Sequence, residues 1–391
     1  MSASILDPAS ESSSQLWYWA NSLGMFAIFA LLWTPSYSVA IKLMLFASLI
    51  SLFWRPWKGL TRQGVGFIWA LMLLTAYLVL RESLYWHQFE PKQLFLLAII
   101  PAWLNLRRYG FDLRLLAIGI LVGAVSGGVA AWVSSNGLED RIGMGRNAIS
   151  YGGTMLVYVA LSTFMLWKSP MWSRSLWWLA LIASAVAVMA SGTRGAYIPA
   201  LLIMLFVVWH YVRAGRWWLL LLVPLVLILF FVGLVETGRW AATMREFDVM
   251  MAGSLNTSMG HRLQLWHLAW QVTSDYPIFG FGPDSLAINM QYQAWLDNRG
   301  YQPNLIAMHS HMHNQYFDLL AKYGLVGLTL WLIWFIAFVR DASPESRPLA
   351  FMVLIVFWGL SLTETIMGTN ALRYALLASM MVVFGLRLRA R

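Results

Sequence analysis

Apolar residues run along this chain in long blocks separated by short polar segments, and they do not alternate with polar residues at the two-residue period of a half-buried strand. Crossing a bilayer takes about 20 mostly apolar residues. Twelve stretches approach that length, near 16–34, 37–54, 64–80, 92–106, 113–133, 147–167, 176–191, 196–212, 217–235, 315–339, 348–364 and 372–387. A segment inside lipid must satisfy its own backbone hydrogen bonds, so each stretch predicts a helix. The pattern therefore predicts an all-α integral membrane protein with about twelve transmembrane helices.

Composition agrees. Of the 391 residues 60% are hydrophobic and 11% charged, where a soluble domain averages about 45–50% and about 25%. The 23 Trp and 15 Tyr suit a membrane interface. The absence of Cys excludes disulfides and thiolate metal sites. Residues 1–15 are polar and carry no Lys or Arg, so they do not read as a cleavable signal peptide.

A net charge of +10 raises the question of nucleic acid, and its placement answers in favour of a membrane. With the N-terminus in the cytoplasm and strict alternation, the inner segments hold Arg55, Lys58 and Arg62, then Arg107, Arg108 and Arg114, then Lys168 and Arg174. Arg213 and Arg216, Arg340 and Arg347, and Arg387, Arg389 and Arg391 complete the set, which makes fifteen of the 27 basic residues. Every predicted inner segment is short and basic, as the positive-inside rule requires. Both termini are thus expected in the cytoplasm, with no nucleic-acid partner and membrane lipids around the spans.

The other side carries one large loop of about 77 residues, 236–312, long enough to fold and too polar to hide a helix pair. The chain divides accordingly into spans one to nine (1–235), the loop with amphipathic helices (236–312) and spans ten to twelve (313–391). Ser258 is placed to cap a helix running to about Ser274. Met259, Leu263, Trp266 and Trp270 share one face of it, flanked by Arg262 and His267. That face either lies on the membrane surface or packs on the bundle. In Pro277-Ile-Phe-Gly280-Phe-Gly282-Pro283 the glycines either form turns or let the backbone approach a ligand. Asp284 is placed to cap a second short helix toward Arg299.

The loop ends in His309-Ser-His311-Met-His313-Asn314. Three alternate His raise a zinc reading. The segment offers no Cys, and no carboxylate before Asp318, so no metal is expected. Asn314 is a natural N-cap, which sets His313 at the positive end of a helix, where a neutral imidazole able to accept a proton is favoured. By spacing alone His313 is either such a base or part of the cap.

Four arginines stand against the charge trend: Arg146 before the sixth span, Arg194 in the tight link Ser191-Gly-Thr-Arg194-Gly195-Ala, Arg262 in the loop helix, and Arg373 at the start of the twelfth span. Arginine at bilayer depth costs about 2.5–3.5 kcal/mol on insertion scales. Its planar fork suits phosphate. Each is read either as a ligand for an anion or as a snorkelling anchor; for Arg194 the short, glycine-flanked link favours the anion.

At these residues the chain resembles the O-antigen ligase family of bacterial inner-membrane glycosyltransferases, within the O-antigen ligase/polymerase superfamily. Three blocks carry the resemblance. They are Ser191-Gly-Thr-Arg194-Gly-Ala; Gly260-His-Arg262-Leu-Gln-Leu-Trp266 with Pro277-Ile-Phe-Gly-Phe-Gly282; and His311-Met-His313-Asn314 with Gly324 and Gly327. The last matches the family's His, then Asn, then nine residues, then Gly. The twelve-span plan and the large loop before the tenth span also match. The resemblance is firmest from about 190 to 330.

It implies transfer of an O-antigen glycan from undecaprenyl diphosphate to lipid A-core on the periplasmic face, inverting and without metal or cofactor. The large loop would be periplasmic. His313 would be the base that deprotonates the acceptor hydroxyl, with His311 and Asn314 supporting it. Arg194 and Arg262 would hold the diphosphate, with Arg146 and Arg373 added on charge and position. An O-antigen polymerase or a protein O-oligosaccharyltransferase would use the same donor. A transporter would instead place ionisable residues at span centres, where few occur.

Overall fold

The computed structural model describes residues 8–54, 65–85, 94–138, 140–213, 215–236, 238–303 and 305–386. Within them every regular element is a helix. The first nine are α1 (Pro8–Leu31), α2 (Tyr37–Ser51), α3 (Val65–Tyr85), α4 (Ile99–Tyr109), α5 (Leu113–Ser134), α6 (Ala148–Lys168), α7 (Arg174–Ala190), α8 (Arg194–Arg213) and α9 (Leu222–Glu236). The predicted loop folds as α10 (Arg239–Met251), α11 (Ser258–Asp275), α12 (Ser285–Gln291), α13 (Gln293–Asp297) and α14 (Leu305–His309). Then come α15 (Gln315–Asp341), α16 (Arg347–Ser361) and α17 (Asn370–Gly385).

Seven helical stretches are long and apolar enough to cross a membrane: α2 with the 3₁₀ turn that extends it to Trp54, α3, α5, α6, α7 with the 3₁₀ turn that precedes it from Met171, α8 and α15. This is the helical membrane protein that the hydropathy predicts, with fewer full-length spans than the expected twelve among the described residues. For α4, α16 and α17 the difference is one of length, whereas α1 has 24 residues but opens with the polar run 8–15. The helices α16 and α17 are apolar but have 15 and 16 residues. At about 1.5 Å per residue, such helices fall short of a ~30 Å hydrocarbon core. The fourth stretch yields an 11-residue helix behind a 3₁₀ turn. Of the basic residues assigned to the cytoplasm, Arg55, Lys58, Arg62, Arg387, Arg389 and Arg391 lie outside the described residues.

The centre of the bundle is α17, buried from Ala371 to Gly385, with α6 beside it. Small residues bring helices together where lipid offers no hydrophobic drive for association. On α5, a side chain at Gly119 would meet the Phe26 carbonyl 2.7 Å away, and one at Gly123 would strike the Phe29 carbonyl, so α5 rests on the backbone of α1. Tyr158 of α6 donates to that same Phe29 carbonyl and ties the three helices. Asp112 and Asn147 start α5 and α6 with side-chain caps.

The loop helices bury their own small core of Leu265, Leu268, Val272, Ile288, Leu296 and Leu305, closed by Met312 and Ala321. The cap of α11 is Thr257, one residue before the expected Ser258; its hydroxyl accepts from Gly260 N at 3.0 Å. Of the two readings of the aromatic stripe, packing on the bundle is not the one α11 adopts as a whole. Leu263 and Trp270 are exposed, and Leu265, Leu268, Ala269 and Val272 point inward. Asp284 caps α12 as expected, accepting from Leu286 N and Ala287 N, and the helix breaks at Tyr292 before α13.

The expected tenth span, α15, is interrupted at Gly324, where φ is +65°. The broken turn is repaired by the Pro277–Gly282 segment. Phe281 N and Gly282 N donate to the Ala321 and Lys322 carbonyls at 2.8 and 3.0 Å, and Leu325 N and Val326 N donate back to Pro277 and Ile278 at 2.9 and 3.2 Å. The two backbones approach so closely that a side chain on Gly280 would meet Tyr323 N at 2.5 Å, and one on Gly324 would collide with the Ile278 carbonyl. Gly280 therefore serves a backbone approach, as one reading of the motif has it, but the approach is to α15. From α3, Arg81 donates to the Gly280 carbonyl at 2.8 Å and Tyr77 to the Tyr323 carbonyl at 2.7 Å.

Candidate active site

Where α8, α10 and α11 meet the link before α6, a cavity of about 230 Å³ opens, lined by Arg141, Arg194, Arg239 and Arg262 together with Thr193 and Thr363. Each arginine arrives from a different segment. Arg194 begins α8 directly after the Ser191–Thr193 turn. That turn is closed by the Ser191 hydroxyl, which accepts from Thr193 N at 3.2 Å, and by the Thr193 hydroxyl, which donates to the Ala148 carbonyl at 3.0 Å. Gly192 has φ +56°, and a side chain there would lie 2.6 Å from the Arg239 guanidinium carbon. Gly195 abuts Thr363 so closely that no side chain fits. The Ser-Gly-Thr-Arg-Gly block thus builds one wall of the cavity.

The second block builds the facing wall. Gly260 lies against the Leu255 backbone, and Gln264 donates to the Leu255 carbonyl at 3.0 Å, which fixes the entry to α11. Arg262 then projects into the cavity, while Trp266 stacks on Phe317 with ring centroids 5.8 Å apart and donates to the Met312 carbonyl at 3.1 Å.

The cavity is cationic. Burial lowers the Arg262 pKa, Arg194 lowers it further, and Glu364 and Glu246 act against both. Burial also lowers that of Arg141, reinforced by the charges of Arg239, Arg194 and Arg262. Guanidiniums that repel one another in a shielded cavity are stabilised by an anion. One carboxylate already serves. Glu246 of α10 pairs with Arg194 and accepts from Met259 N, at the start of α11, at 3.1 Å.

Next to the cavity lies the histidine segment. Asn314 is the N-cap of α15, accepting from Tyr316 N and Phe317 N at 2.9 and 3.1 Å. The preceding turn is tight: Ser310 and His313 have φ of +57° and +48°, unusual for residues with a side chain. It is held by Asp318, which accepts from Met312 N at 3.1 Å, and by Lys322, which donates to the Ser310 carbonyl at 3.0 Å. His313 faces His309 through Nε2 at 3.3 Å and the Glu364 carboxylate through Nδ1 at 3.5 Å. His311 Nε2 lies 3.6 Å from the other Glu364 oxygen.

Glu364 sits in the 362–369 link between α16 and α17 and is buried. Asn314 fastens this link by donating to the Leu362 carbonyl at 3.0 Å, and Gln315 by accepting from Met367 N at 2.9 Å. Burial pushes the Glu364 carboxyl up, but its contacts with His313 and His311 outweigh burial and hold it below the usual carboxylate range. Burial lowers both His309 and His311, and neighbouring imidazoles add to this.

Of the expected site residues, the structure brings Arg194 and Arg262 into one cavity and sets His313, His311 and Asn314 beside it. Arg146 and Arg373 do not line that cavity. The Arg146 guanidinium lies over the Tyr37 ring at 4.1 Å and donates to the Leu32 carbonyl at 3.0 Å, while its Nε and Nη1 meet no acceptor among the described residues. Arg373 is buried and bonded to Asn370.

Sequence reasoning missed Arg141, Arg239, Glu246 and Glu364. The charge pattern that singled out Arg146 applies equally to Arg141, five residues earlier, and to Arg239 at the loop's start. No local signal marks Glu364. Its arrival also changes the metal question. The carboxylate absent from the histidine segment comes from another part of the chain, and His311, His313 and Glu364 offer ligand atoms within 4.8 Å of one another.

No curated protein matches the chain at a significant level. A family model described as O-antigen ligase matches residues 178–332, from within α7 to within α15, which takes in Arg194, Arg239, Glu246, Arg262 and His313. Residues 178–332 are therefore similar to the O-antigen ligase family, which is consistent with the O-antigen ligase/polymerase superfamily.

Proposed function

We propose that the chain is an O-antigen ligase of the bacterial inner membrane. In this reading it moves a glycan from undecaprenyl diphosphate to lipid A-core on the periplasmic face, with inversion and without metal. One observation carries it: the cationic cavity and the histidine segment share a wall. Thr363 lines the cavity while the adjacent Glu364 faces His313. Trp266 lines the cavity while its indole holds the carbonyl of Met312.

That arrangement suits direct displacement at an anomeric carbon. His313 accepts the acceptor hydroxyl proton as the oxygen forms its bond to carbon. The bond to the diphosphate oxygen breaks, and the electron pair leaves with the diphosphate. Arg194 and Arg262, with Arg141 and Arg239, stabilise the charge gained, the task a metal performs in other transferases. The seven spanning helices and their shorter companions would present this site to two lipid-anchored substrates.

Acceptor analysis in a strain lacking the protein tests the reaction. Loss of polymer from lipid A-core, with polymer retained on the carrier lipid, is expected. Short unpolymerised units would identify a polymerase, and loss of glycan from Ser or Thr a protein oligosaccharyltransferase. Purified protein should transfer glycan in detergent without a gradient, which a transporter would not. Transfer abolished by a chelator and restored by zinc would overturn the metal-free mechanism.

A further inference from the structure

The reading of His313 as the base leaves its second ring nitrogen without a role. Nδ1 is buried, has no formed hydrogen bond among the described residues, and points at Glu364 Oε2. That carboxylate is 3% exposed. Burying it has a cost unless something charged or donating faces it. Two imidazoles do, one on each oxygen, and Thr365 N donates to Oε1 at 3.0 Å. Arg262 adds its charge from the cavity side.

The placement of Glu364 is also enforced. Asn314, the neighbour of His313, bonds the link on one side of Glu364, and Gln315 bonds it on the other. The carboxylate and the imidazole are thereby parts of one rigid joint between the start of α15 and the α16–α17 link.

We propose that Glu364 is a positioning residue for His313. This rests on the reading of His313 as the base. The carboxylate holds the Nδ1–H tautomer, which keeps the Nε2 lone pair for the acceptor proton once the acceptor hydroxyl replaces the 3.3 Å contact with His309 Nδ1. It then stabilises the imidazolium that forms. A formed N–H···O bond spans about 2.7–3.2 Å, so the 3.5 Å contact shortens as positive charge develops on the ring. Protons balance: one passes from the acceptor hydroxyl to Nε2, and Glu364 stays ionised. The residue touches neither substrate. It acts through His313, as a carboxylate orients the imidazole in other His-dependent sites.

The experiment uses the purified full chain in detergent, a synthetic undecaprenyl-diphosphate glycan and a lipid A-core acceptor. Glu364→Gln should lower kcat by about 100-fold or more while the KM for donor stays within about twofold, since the amide fills the same space without the charge. Glu364→Asp, which keeps the charge, should recover part of that loss. In a His313→Ala background Glu364→Gln should cost nothing further.

Wild-type kcat in Glu364→Gln overturns the proposal, as does a rise in KM at unchanged kcat. So does an equal loss in the His313→Ala background. If Glu364→Gln does not fold, Glu364→Asp decides: activity indistinguishable from wild type, or no better than His313→Ala, counts against the proposal. Metal-dependent recovery after chelation would make the carboxylate a ligand and overturn it too. Full activity in His313→Ala would instead remove the base reading itself. An inactive His313→Ala with a fully active Glu364→Gln removes only the positioning role.

Discussion

Arg194 and Arg262 stand in one kind of surrounding, and Arg146 and Arg373 in another, although the charge pattern groups all four. The first pair shares a cavity with Arg141 and Arg239, next to a histidine cluster. The second pair sits against the Tyr37 ring, the Leu32 carbonyl and the Asn370 side-chain amide oxygen. Arg146 has a ring and one carbonyl inside the fold, with Nε and Nη1 left without an acceptor among the described residues. The guanidiniums crowded into the cavity repel one another, and they favour an anion. An arginine against the positive-inside trend therefore carries a cost. Its neighbours decide whether a ligand or the fold offsets that cost.

The sharpest test lies at the end of the first region. His313→Ala should lower kcat by about 10²–10⁴-fold, with the protein still inserted and still binding carrier lipid in a sedimentation assay. Full transfer would refute the base assignment.

Arg262→Ala and Arg194→Ala should each cost about 10²-fold in kcat/KM, the scale seen when one donor to a developing charge is lost. Arg194→Lys should also be impaired, because a point charge replaces the fork. Steady-state kinetics against donor concentration would show it, and an unaffected pair would erase the distinction between the two regions.

Arg146→Ala should act on stability instead. Losing the ring contact and the Leu32 bond should cost about 1–3 kcal/mol, read as a lower melting temperature in detergent, with donor KM unchanged. A large rise in donor KM would mean that its two unpaired nitrogens serve the donor after all, and the regions would merge.

Glu246 offers a smaller effect of opposite sign. Its carboxylate occupies Arg194 and the start of α11, two donors a phosphate would use. Glu246→Gln should tighten donor binding by a few-fold, as expected for a partly exposed ion pair of about 1 kcal/mol. Weaker binding would show that Glu246 orients Arg194 rather than competing for it.

The histidine cluster should leave the smallest signature, in stability against pH. His309 and His311 have folded pKa values below the ordinary imidazole range, so the unfolded chain binds more protons. Their contribution is fully present above about pH 6.5 and fades as pH falls below it. The depressed Glu364 carboxyl adds a separate loss that begins only below the ordinary carboxylate range. A melting temperature that rises on acidification through pH 6 would contradict this sign.

Local rules account for what can be read along the chain. Apolar block length set the helical membrane class, and all twelve stretches contain helix. Side-chain caps at Asn314 and Asp284 were legible because capping needs only the next three residues. Arg194, Arg262 and His313 could be singled out as candidates because each lies in a short block with its own spacing.

The rest depends on packing in three dimensions. The length at which α4, α16 and α17 stop depends on packing and turns rather than on hydropathy. The glycines of Pro277–Gly282 and Gly324 have meaning only as a pair, because each makes room for the other's backbone. The separation of Arg146 and Arg373 from Arg194 and Arg262, and the arrival of Glu364 at His313 from 51 residues along the chain, are three-dimensional facts. Charge and burial act through space, and no spacing rule spans a helix bundle.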